Sequence, residues 1–325
     1  MADILSLAAQ NLLSPVILSF ILGVAAALGR SDLSVPEAVA KGLSIYLLFA
    51  IGFKGGASVA SYGVDATLVA TITAGLILSA GLPLVAFNLL KIMTKMSRTD
   101  AAAVAGHYGS ISIVTFVAAT SVLEGRGLSS EGYMVAVAAV MEAPAILSAL
   151  WLISTGGSDK RMDGALLREI LLNGSIVLLV GAFLIGMVTG EEGLASISSF
   201  IVAPFTGVLC LFLLDMGLVA GRGLRDVRGV LGGGAIAFGI LMPVIGSLAG
   251  LAAALLIGLS TGGAVLLMVL SASASYIAVP AAMRVALPEA NPSIYLTLSL
   301  GITFPFNLTV GIPLYVTLAR LATGG

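Results

Sequence analysis

The chain consists of long apolar runs separated by short charged or glycine-rich breaks. The runs lie near 14–29, 35–53, 65–91, 101–123, 131–154, 169–189, 196–220, 229–258, 262–284 and 292–320. Each approaches the ~20 residues with which an α-helix crosses the hydrocarbon core of a bilayer. The composition agrees, because 59% of the residues are apolar, 10% are charged and the mean hydropathy is +1.14. The pattern predicts an all-α polytopic membrane protein with ten transmembrane helices.

Basic residues are distributed unevenly between the two sides of such a protein. Most of the 15 share one side, at the breaks that follow the odd-numbered runs. They are Arg30, Lys41, Lys91, Lys95, Arg98, Lys160, Arg161, Arg168, Arg222, Arg225, Arg228 and Arg284. Only Lys54, Arg126 and Arg320 fall on the other side. Since cytoplasmic loops are enriched in Lys and Arg, we expect both termini outside, in a cell inner (plasma) membrane. Lys54 ends the second run, and we expect it to snorkel to the interface.

A polar motif occurs twice at equal spacing. Ser110-Ile111-Ser112 is followed by Pro144, and Ser271-Ala272-Ser273 by Pro305, each displaced by 161 positions (110 to 271 and 144 to 305). Hydroxyl pairs are costly in hydrocarbon. Two of them at matched places therefore indicate one buried site made by a duplicated unit.

The duplication predicts two five-helix halves, 1–155 and 169–325, joined by a cytoplasmic linker, 156–168. Further segments agree with it: 20–23 mirrors 183–186, and 51–56 mirrors 216–221. An odd number of spans per half gives the halves opposite orientations. The sequence therefore predicts a five-plus-five inverted repeat, which is typical of secondary transporters that bind substrate where the repeats meet.

The two polar interruptions are the predicted functional site. Glycines, small hydroxyl residues and a downstream proline allow a helix to unwind, with hydroxyls satisfying the freed backbone groups. Free N–H groups at the start of a half-helix favour an anion, and carbonyl and hydroxyl oxygens suit a sodium ion. The substrate-binding candidates are Gly109, Ser110, Ile111, Ser112, Ala272, Ser273, Ala274, Ser275 and Tyr276. The alternative is that these small residues only permit close helix packing.

Four segments of the chain carry a family resemblance. They are Leu-Leu-Phe-Ala-Ile-Gly-Phe-Lys-Gly-Gly at 47–56, Gly109–Ser112, Met141–Ala145, and the run from Ser273 through Pro280 to Ser293. They resemble the sodium-dependent bicarbonate transporter family of cyanobacterial type, in order and from Ser14 to Leu318. The resemblance implies a homotrimeric ten-helix permease. Helices 1, 2, 6 and 7 would form a gate or scaffold domain and helices 3–5 and 8–10 a moving core, with bicarbonate and sodium at the broken helices.

The chain departs from that family in three places. Tyr276 stands where family members carry an aspartate of the second broken helix, so a sodium-site carboxylate is missing. Ser112-Ile113-Val114-Thr115 has fewer hydroxyls than the Ser-Gly-Ser-Thr run of the family. The long cytosolic segment between the halves, a regulatory region in the family, is reduced to 156–169. The resemblance therefore carries neither a defined sodium site nor regulation by a PII-like signalling protein to this chain.

Ion coupling is expected from polar residues near the interruptions. The candidates are Ser112, Thr115, Glu142, Ser273, Thr303 and Asn307. Glu142 matches an acidic position of the family and would complete a cation site or carry a proton; alternatively it is protonated and bonded to a neighbouring helix. His107, the single histidine, is a candidate pH sensor, or else it bonds a backbone carbonyl.

These observations predict a secondary transporter, not an enzyme, that takes up bicarbonate with sodium by alternating access. One alternative is a proton-coupled or uncoupled carrier of another small carboxylate or oxyanion. A remote alternative is an intramembrane hydrolase that uses Ser110 with His107. The net charge of −1 excludes nucleic acid as an expected partner, and the single cysteine and histidine offer no zinc site. We expect a small anion and the lipid bilayer as partners, no cofactor, and sodium as a coupling ion.

Overall fold

Helices account for the regular structure in the described part of the chain. The computed structural model describes residues 13–63, 65–154, 168, 172, 174–226, 231–276, 279–280, 283 and 287–324. Its helices are α1 Pro15–Leu28, α2 Glu37–Tyr62, α3 Ala66–Met93, α4 Arg98–Gly109, α5 Ile113–Glu124, α6 Met134–Val140, α7 Glu142–Ser154, α8 Gly174–Ile201, α9 Phe205–Asp226, α10 Gly233–Ile257, α11 Thr261–Ala272 and α12 Pro292–Thr323. The predicted linker at 156–168 lies outside the described residues except for Arg168.

The helices are those of a multi-pass membrane protein. Within the described residues, 8 helical segments are long and apolar enough to cross a bilayer, when α4 with α5 and α6 with α7 are each counted as one segment. Helices α1 and α11 are apolar but shorter, with 14 and 12 residues. At 1.5 Å per residue, α11 rises only about 18 Å, so it crosses part of a bilayer. In the rest of the ninth predicted span, 273–284, residues 277, 278, 281, 282 and 284 lie outside the described residues.

Two predicted spans have wrong boundaries. Helix α2 does not end near residue 53 but continues to Tyr62, because the small residues that follow Lys54 extend the helix as far as Gly63, whose positive φ of 81° stops it. The predicted span at 196–220 begins instead at Phe205. Gly190, with φ 61° and ψ −151°, breaks α8, so residues 191–201 form a separate arm before α9.

Two helix pairs cross at glycines where the backbones touch. Helix α1 packs against α9 and α2 packs against α8. A methyl group on Gly23 would overlap the carbonyl oxygen of Leu214, and one on Gly186 would overlap that of Phe53. Small residues at these crossings let the helices approach closely, which is how helices associate in lipid. The two crossings are therefore built alike. In each of them, a helix from one half of the chain crosses a helix from the other half at a glycine.

A second group of helices contains the breaks. Helix α3 packs on α4 and α7, α4 on α7, and α10 on α11, while α3 and α10 contact each other. Helix α12 has two π-helical segments, Thr297–Thr303 and Asn307–Gly311. The ring of Phe304, in the α-helical turn between them, packs edge-on against Phe20 of α1 with centroids 5.0 Å apart. This aromatic contact joins the second group to the α1–α9 pair.

Candidate functional site

The first helix break separates α4 from α5. Ser110 caps the end of α4 in an extended conformation, and Ser112, also extended, caps the start of α5. The Ser112 hydroxyl oxygen accepts hydrogen bonds from the backbone N–H of Thr115 at 3.2 Å and from its hydroxyl at 2.8 Å. A serine at each side of the gap satisfies the helix ends without continuing the helix, which is why the chain unwinds here.

The second break begins where α11 ends. Ser273 caps α11 with φ −86° and ψ 163°, nearly the values of Ser110, −88° and 165°. The preceding N-caps, Ser97 and Ser260, also match. Ser110 is thus equivalent to Ser273 and not to Ser271, and the displacement is 163 positions (97 to 260 and 110 to 273). The spacing of 161 predicted from the serine pairs is wrong by two residues.

Direct hydrogen bonds connect the two breaks. The backbone N–H of Ser112 donates to the hydroxyl oxygen of Ser273 at 2.9 Å, and that hydroxyl donates to the carbonyl of Leu270 at 3.0 Å. The backbone N–H of Ser275 donates to the carbonyl of His107 at 2.8 Å, and the His107 Nδ1 lies 2.6 Å from the Ser275 carbonyl oxygen. The structure therefore brings the two predicted interruptions into contact. His107 and Ser275 connect them through two contacts, one to each residue's carbonyl oxygen.

Several buried polar atoms at the breaks have no hydrogen bond to the described protein. They are the hydroxyl oxygens of Ser110, Ser271 and Tyr276, Nε2 of His107 and Oε2 of Glu142. Ser110 and His107 are completely buried, at 0% exposed. A buried polar group without a partner costs about 1–3 kcal/mol, and native proteins contain few of them. Four of these atoms, on Ser110, Ser271, Tyr276 and His107, lie at or next to the two breaks, and the fifth belongs to Glu142 at a separate joint.

A family model decides the class of protein. The model described as the Na+-dependent bicarbonate transporter superfamily matches residues 15–320. The chain belongs to this family. A search of curated proteins finds no match to it. The resemblance found in the sequence is confirmed at the level of the family, which is a family of transporters.

The donor atoms at the breaks are those that a sodium-dependent family requires. Sodium is bound by hard oxygen ligands, and the breaks offer hydroxyl and freed carbonyl oxygens. Within the described residues there is no group of three or more His, Cys, Asp and Glu side chains that could hold a metal ion. Any sodium site in this part of the chain would therefore depend mainly on backbone and hydroxyl oxygens, with at most two such side chains.

Glu142 lies at a third interruption. Helix α6 ends at Val140, and Glu142 is the first residue of α7. The Met141 carbonyl accepts a hydrogen bond from the Ser79 hydroxyl of α3, which fixes this joint. The Glu142 side chain is 4% exposed, and its Oε2 has no partner. Because a buried charge without a partner is costly, this carboxyl group needs either a proton or a cation.

Two of the predicted ion-coupling residues hold helices together in this structure. The Asn307 amide donates to the carbonyl of Ala272 at 2.9 Å, and its Oδ1 accepts from the Tyr315 hydroxyl at 2.8 Å. The Thr303 hydroxyl donates to the Gly239 carbonyl at 2.6 Å and lies 2.6 Å from the Tyr108 hydroxyl. Both side chains already have protein partners. They connect α12 to α4, α10 and α11 next to the breaks.

The hydrolase alternative lacks its central contact. A serine nucleophile needs its hydroxyl within hydrogen-bond reach of a base. The Ser110 hydroxyl has no hydrogen bond to the described protein, while the His107 ring is stacked on Tyr295 with centroids 4.5 Å apart and bonds Ser275 through Nδ1. The arrangement favours a role of His107 in positioning the second break.

Two cavities border the helices of the α1–α9 and α2–α8 pairs, and the sequence did not reveal them. The first, about 380 Å³, lies between α2 and α9 on one side and α5 and α6 on the other. We call it the outer cavity, because the α5–α6 and α8–α9 connections that border it are on the predicted outside. Its lining includes Ile51, Lys54, Ser58, Phe116, Thr120, Ser121, Glu124, Glu131, Phe205 and Leu266.

The second cavity, about 200 Å³, lies between α9 and α12. Its described lining is Val219, Ala220, Gly223, Pro292, Ser293, Leu296, Thr297 and Leu300. It borders the predicted cytoplasmic ends of α9 and α12, and we call it the inner cavity. If the two halves form the predicted inverted repeat, it is the counterpart of the outer cavity in the other half.

Proposed function

We propose that the chain is a sodium-dependent carrier that takes up bicarbonate by alternating access. The observation that carries the proposal is the joining of the two breaks by the hydrogen bond from Ser112 to Ser273, amid buried polar atoms that have no protein partner. Family membership supports bicarbonate as the anion and sodium as the coupling ion.

The chemistry at the breaks suits a compact oxyanion. The start of α5 presents backbone N–H groups and the positive end of its dipole, and the buried Ser110 hydroxyl has no partner beside it. An oxyanion there would accept hydrogen bonds from these donors. Sodium would neutralise the anion and use carbonyl and hydroxyl oxygens that the anion cannot bind.

The packing of the helices supports alternating access. The α1–α9 and α2–α8 crossings would form the scaffold of a five-plus-five inverted repeat, and the helices with the breaks would form the moving core. The outer cavity is about 380 Å³ and its inner counterpart about 200 Å³. In an inverted repeat, exchange of the two half conformations would enlarge the inner cavity at the expense of the outer one.

The test is uptake of labelled bicarbonate into proteoliposomes, with and without an inward sodium gradient. We expect sodium-driven uptake by the wild-type protein and a loss of at least about tenfold in kcat/KM in Ser110→Ala, because a hydrogen bond to a charged ligand contributes about 1.5–3 kcal/mol. The matched control is Ser247→Ala, a buried serine whose hydroxyl bonds the Val244 carbonyl of its own helix. Absence of uptake, or equal uptake by Ser110→Ala and wild type, contradicts the proposal.

A second candidate is a proton-coupled carrier of a small carboxylate or oxyanion. It is favoured by Glu142, a buried carboxyl group without a described partner for Oε2. A pH gradient would then drive uptake without sodium, and Glu142→Gln would abolish the pH dependence while leaving exchange of the anion intact. Uptake that follows the sodium gradient alone would reject this candidate.

A further inference from the structure

The outer cavity contains a lone cation at its wall. Lys54 lies within α2, eight residues before its end at Tyr62, so the helix continues past the end of the predicted apolar run. A rise of 1.5 Å per residue puts it about 12 Å below the helix end. Its side chain lines the outer cavity beside Ser58, with Thr120 and Ser121 of α5 in the same lining. An ionisable residue at such a depth faces a cavity for a functional reason more often than a structural one.

The Lys54 ammonium group is not neutralised by the described protein. Its Nζ lies 5.5 Å from the ring centroid of Phe205, a cation–π contact that holds it at the α2–α9 seam. No described carboxylate oxygen lies within 4.0 Å of it. Lys54 is therefore a cation that lines a cavity with hydroxyl-bearing side chains and contacts an aromatic ring there.

The two carboxylates of the outer cavity do not compete for this cation at ion-pair distance. Glu131 accepts hydrogen bonds from the backbone N–H of Ser260 at 2.7 Å and from its hydroxyl at 3.0 Å, at the start of α11. That bond pair commits Glu131 to capping the helix. Glu124 is the last residue of α5 and lies at the rim.

The inner cavity has no such charge in its described lining. At the two glycine crossings, the Phe53 carbonyl meets Gly186 as the Leu214 carbonyl meets Gly23. Asp215 therefore occupies the place of Lys54, and it does not belong to the described lining of the inner cavity. The two cavities thus differ in charge although their helices correspond. The outer cavity therefore has a cation on its α2 wall that the described lining of the inner cavity lacks.

We propose that Lys54 forms an external anion-recruiting subsite in the outer cavity, with Ser121 on the facing wall, ahead of the site at the helix breaks. The ligand is a small monovalent oxyanion. The proposal deepens the proposed function and rests on it only for the order of binding. The subsite itself requires only that an anion enters the cavity from the outside.

A charge measurement tests the subsite without transport. A reporter cysteine, Ser58→Cys in a Cys210→Ser background, places a thiol on the same cavity wall as Lys54. Its rate of modification is measured with an anionic and a cationic methanethiosulfonate reagent. We expect Lys54→Gln to lower the anionic-to-cationic rate ratio by about fivefold or more, because the field of one charge acts oppositely on the two reagents. Bicarbonate, or formate, should slow the modification only while Lys54 is present.

Uptake measurements complete the test. We expect Lys54→Gln to raise KM for the anion by about five- to tenfold with kcat within about twofold, and Lys54→Arg to retain most of the affinity. The matched control is Lys41→Gln, an exposed lysine near the other end of the same helix, which should change neither KM nor the labelling ratio.

Three results would overturn the subsite: an unchanged labelling ratio in Lys54→Gln, an equal effect of Lys41→Gln, or a fall in kcat with KM unchanged. If no anion is transported at all, the proposed function fails while the labelling ratio and the protection by anions still decide on Lys54. If uptake is normal but the ratio is insensitive to Lys54, only the subsite is rejected.

Discussion

Replacement of Ser273 by alanine is the sharpest test of how the two breaks hold each other. The Ser273 hydroxyl oxygen accepts the bond from the backbone N–H of Ser112 at 2.9 Å, and both residues are buried, at 1% and 4% exposed. Ser273→Ala leaves that N–H without its partner. An unpaired buried donor costs about 1–3 kcal/mol, so the free energy of unfolding should fall by about this amount.

The same substitution should also weaken uptake, because α5 loses the bond that positions its start. A loss of 1–3 kcal/mol corresponds to about five- to 150-fold in kcat/KM if all of it is lost at the transport step. Thermal unfolding of the purified protein in detergent and anion uptake are measured on the same preparations. Ser110→Ala is the comparison, since the Ser110 hydroxyl has no hydrogen bond to the described protein and its loss should spare stability.

The reasoning is refuted by one specific pattern of results. If Ser273→Ala is as stable as the wild type while Ser110→Ala is destabilised, the hydrogen bond between the breaks is not what holds them together. The roles assigned to the two serines would then be reversed, and the equivalence of their C-caps would carry no functional meaning.

Two further predictions concern the scaffold and the sodium site. Gly186→Ala should reduce stability and uptake together, because its methyl group would overlap the Phe53 carbonyl. Gly207→Ala, which has open space around the added methyl group, should resemble the wild type in unfolding and transport assays. Equal behaviour of the two variants would contradict close packing at the α2–α8 crossing. Tyr276→Asp supplies the carboxylate that the family resemblance expects at this position, so the apparent affinity for sodium in uptake assays should increase; a sodium dependence no stronger than that of Tyr276→Asn would separate this position from the ion site.

The sequence predicted the breaks better than their register. Serines flanking a gap in an apolar run indicate a helix that unwinds, and the structure shows this at Ser110–Ser112 and after Ala272. The matching of Ser110 with Ser271 relied on identical letters. The structural equivalence depends instead on which serine ends the helix, and Ser271 lies within α11. Matching identical residues in the two halves therefore gives a register that is wrong by two residues.

The outer cavity could not be predicted, because hydropathy records how apolar a run is and not what it faces. A lysine ends an apolar run in any such scan, so α2 was expected to stop near Lys54. Burial in a cavity wall allows a helix to carry a charge at that depth. The depth of Lys54 and the lining shared by α2, α5 and α6 depend on tertiary contacts between residues far apart in the chain.

The polar ties around α12 indicate which part of the transporter would move as one body. Asn307 bonds the end of α11 through the Ala272 carbonyl, and Thr303 bonds both α10, through Gly239, and α4, through Tyr108. One helix therefore fastens three others beside the breaks. By contrast, the α1–α9 and α2–α8 pairs meet at glycine crossings, and the lining of the outer cavity separates α2 and α9 from α5 and α6. Between the groups lie the outer cavity and the apolar contact of Phe304 with Phe20. In the proposed mechanism, a shift of the α12 group against the crossed pairs would move both breaks together without breaking the hydrogen bond that joins them.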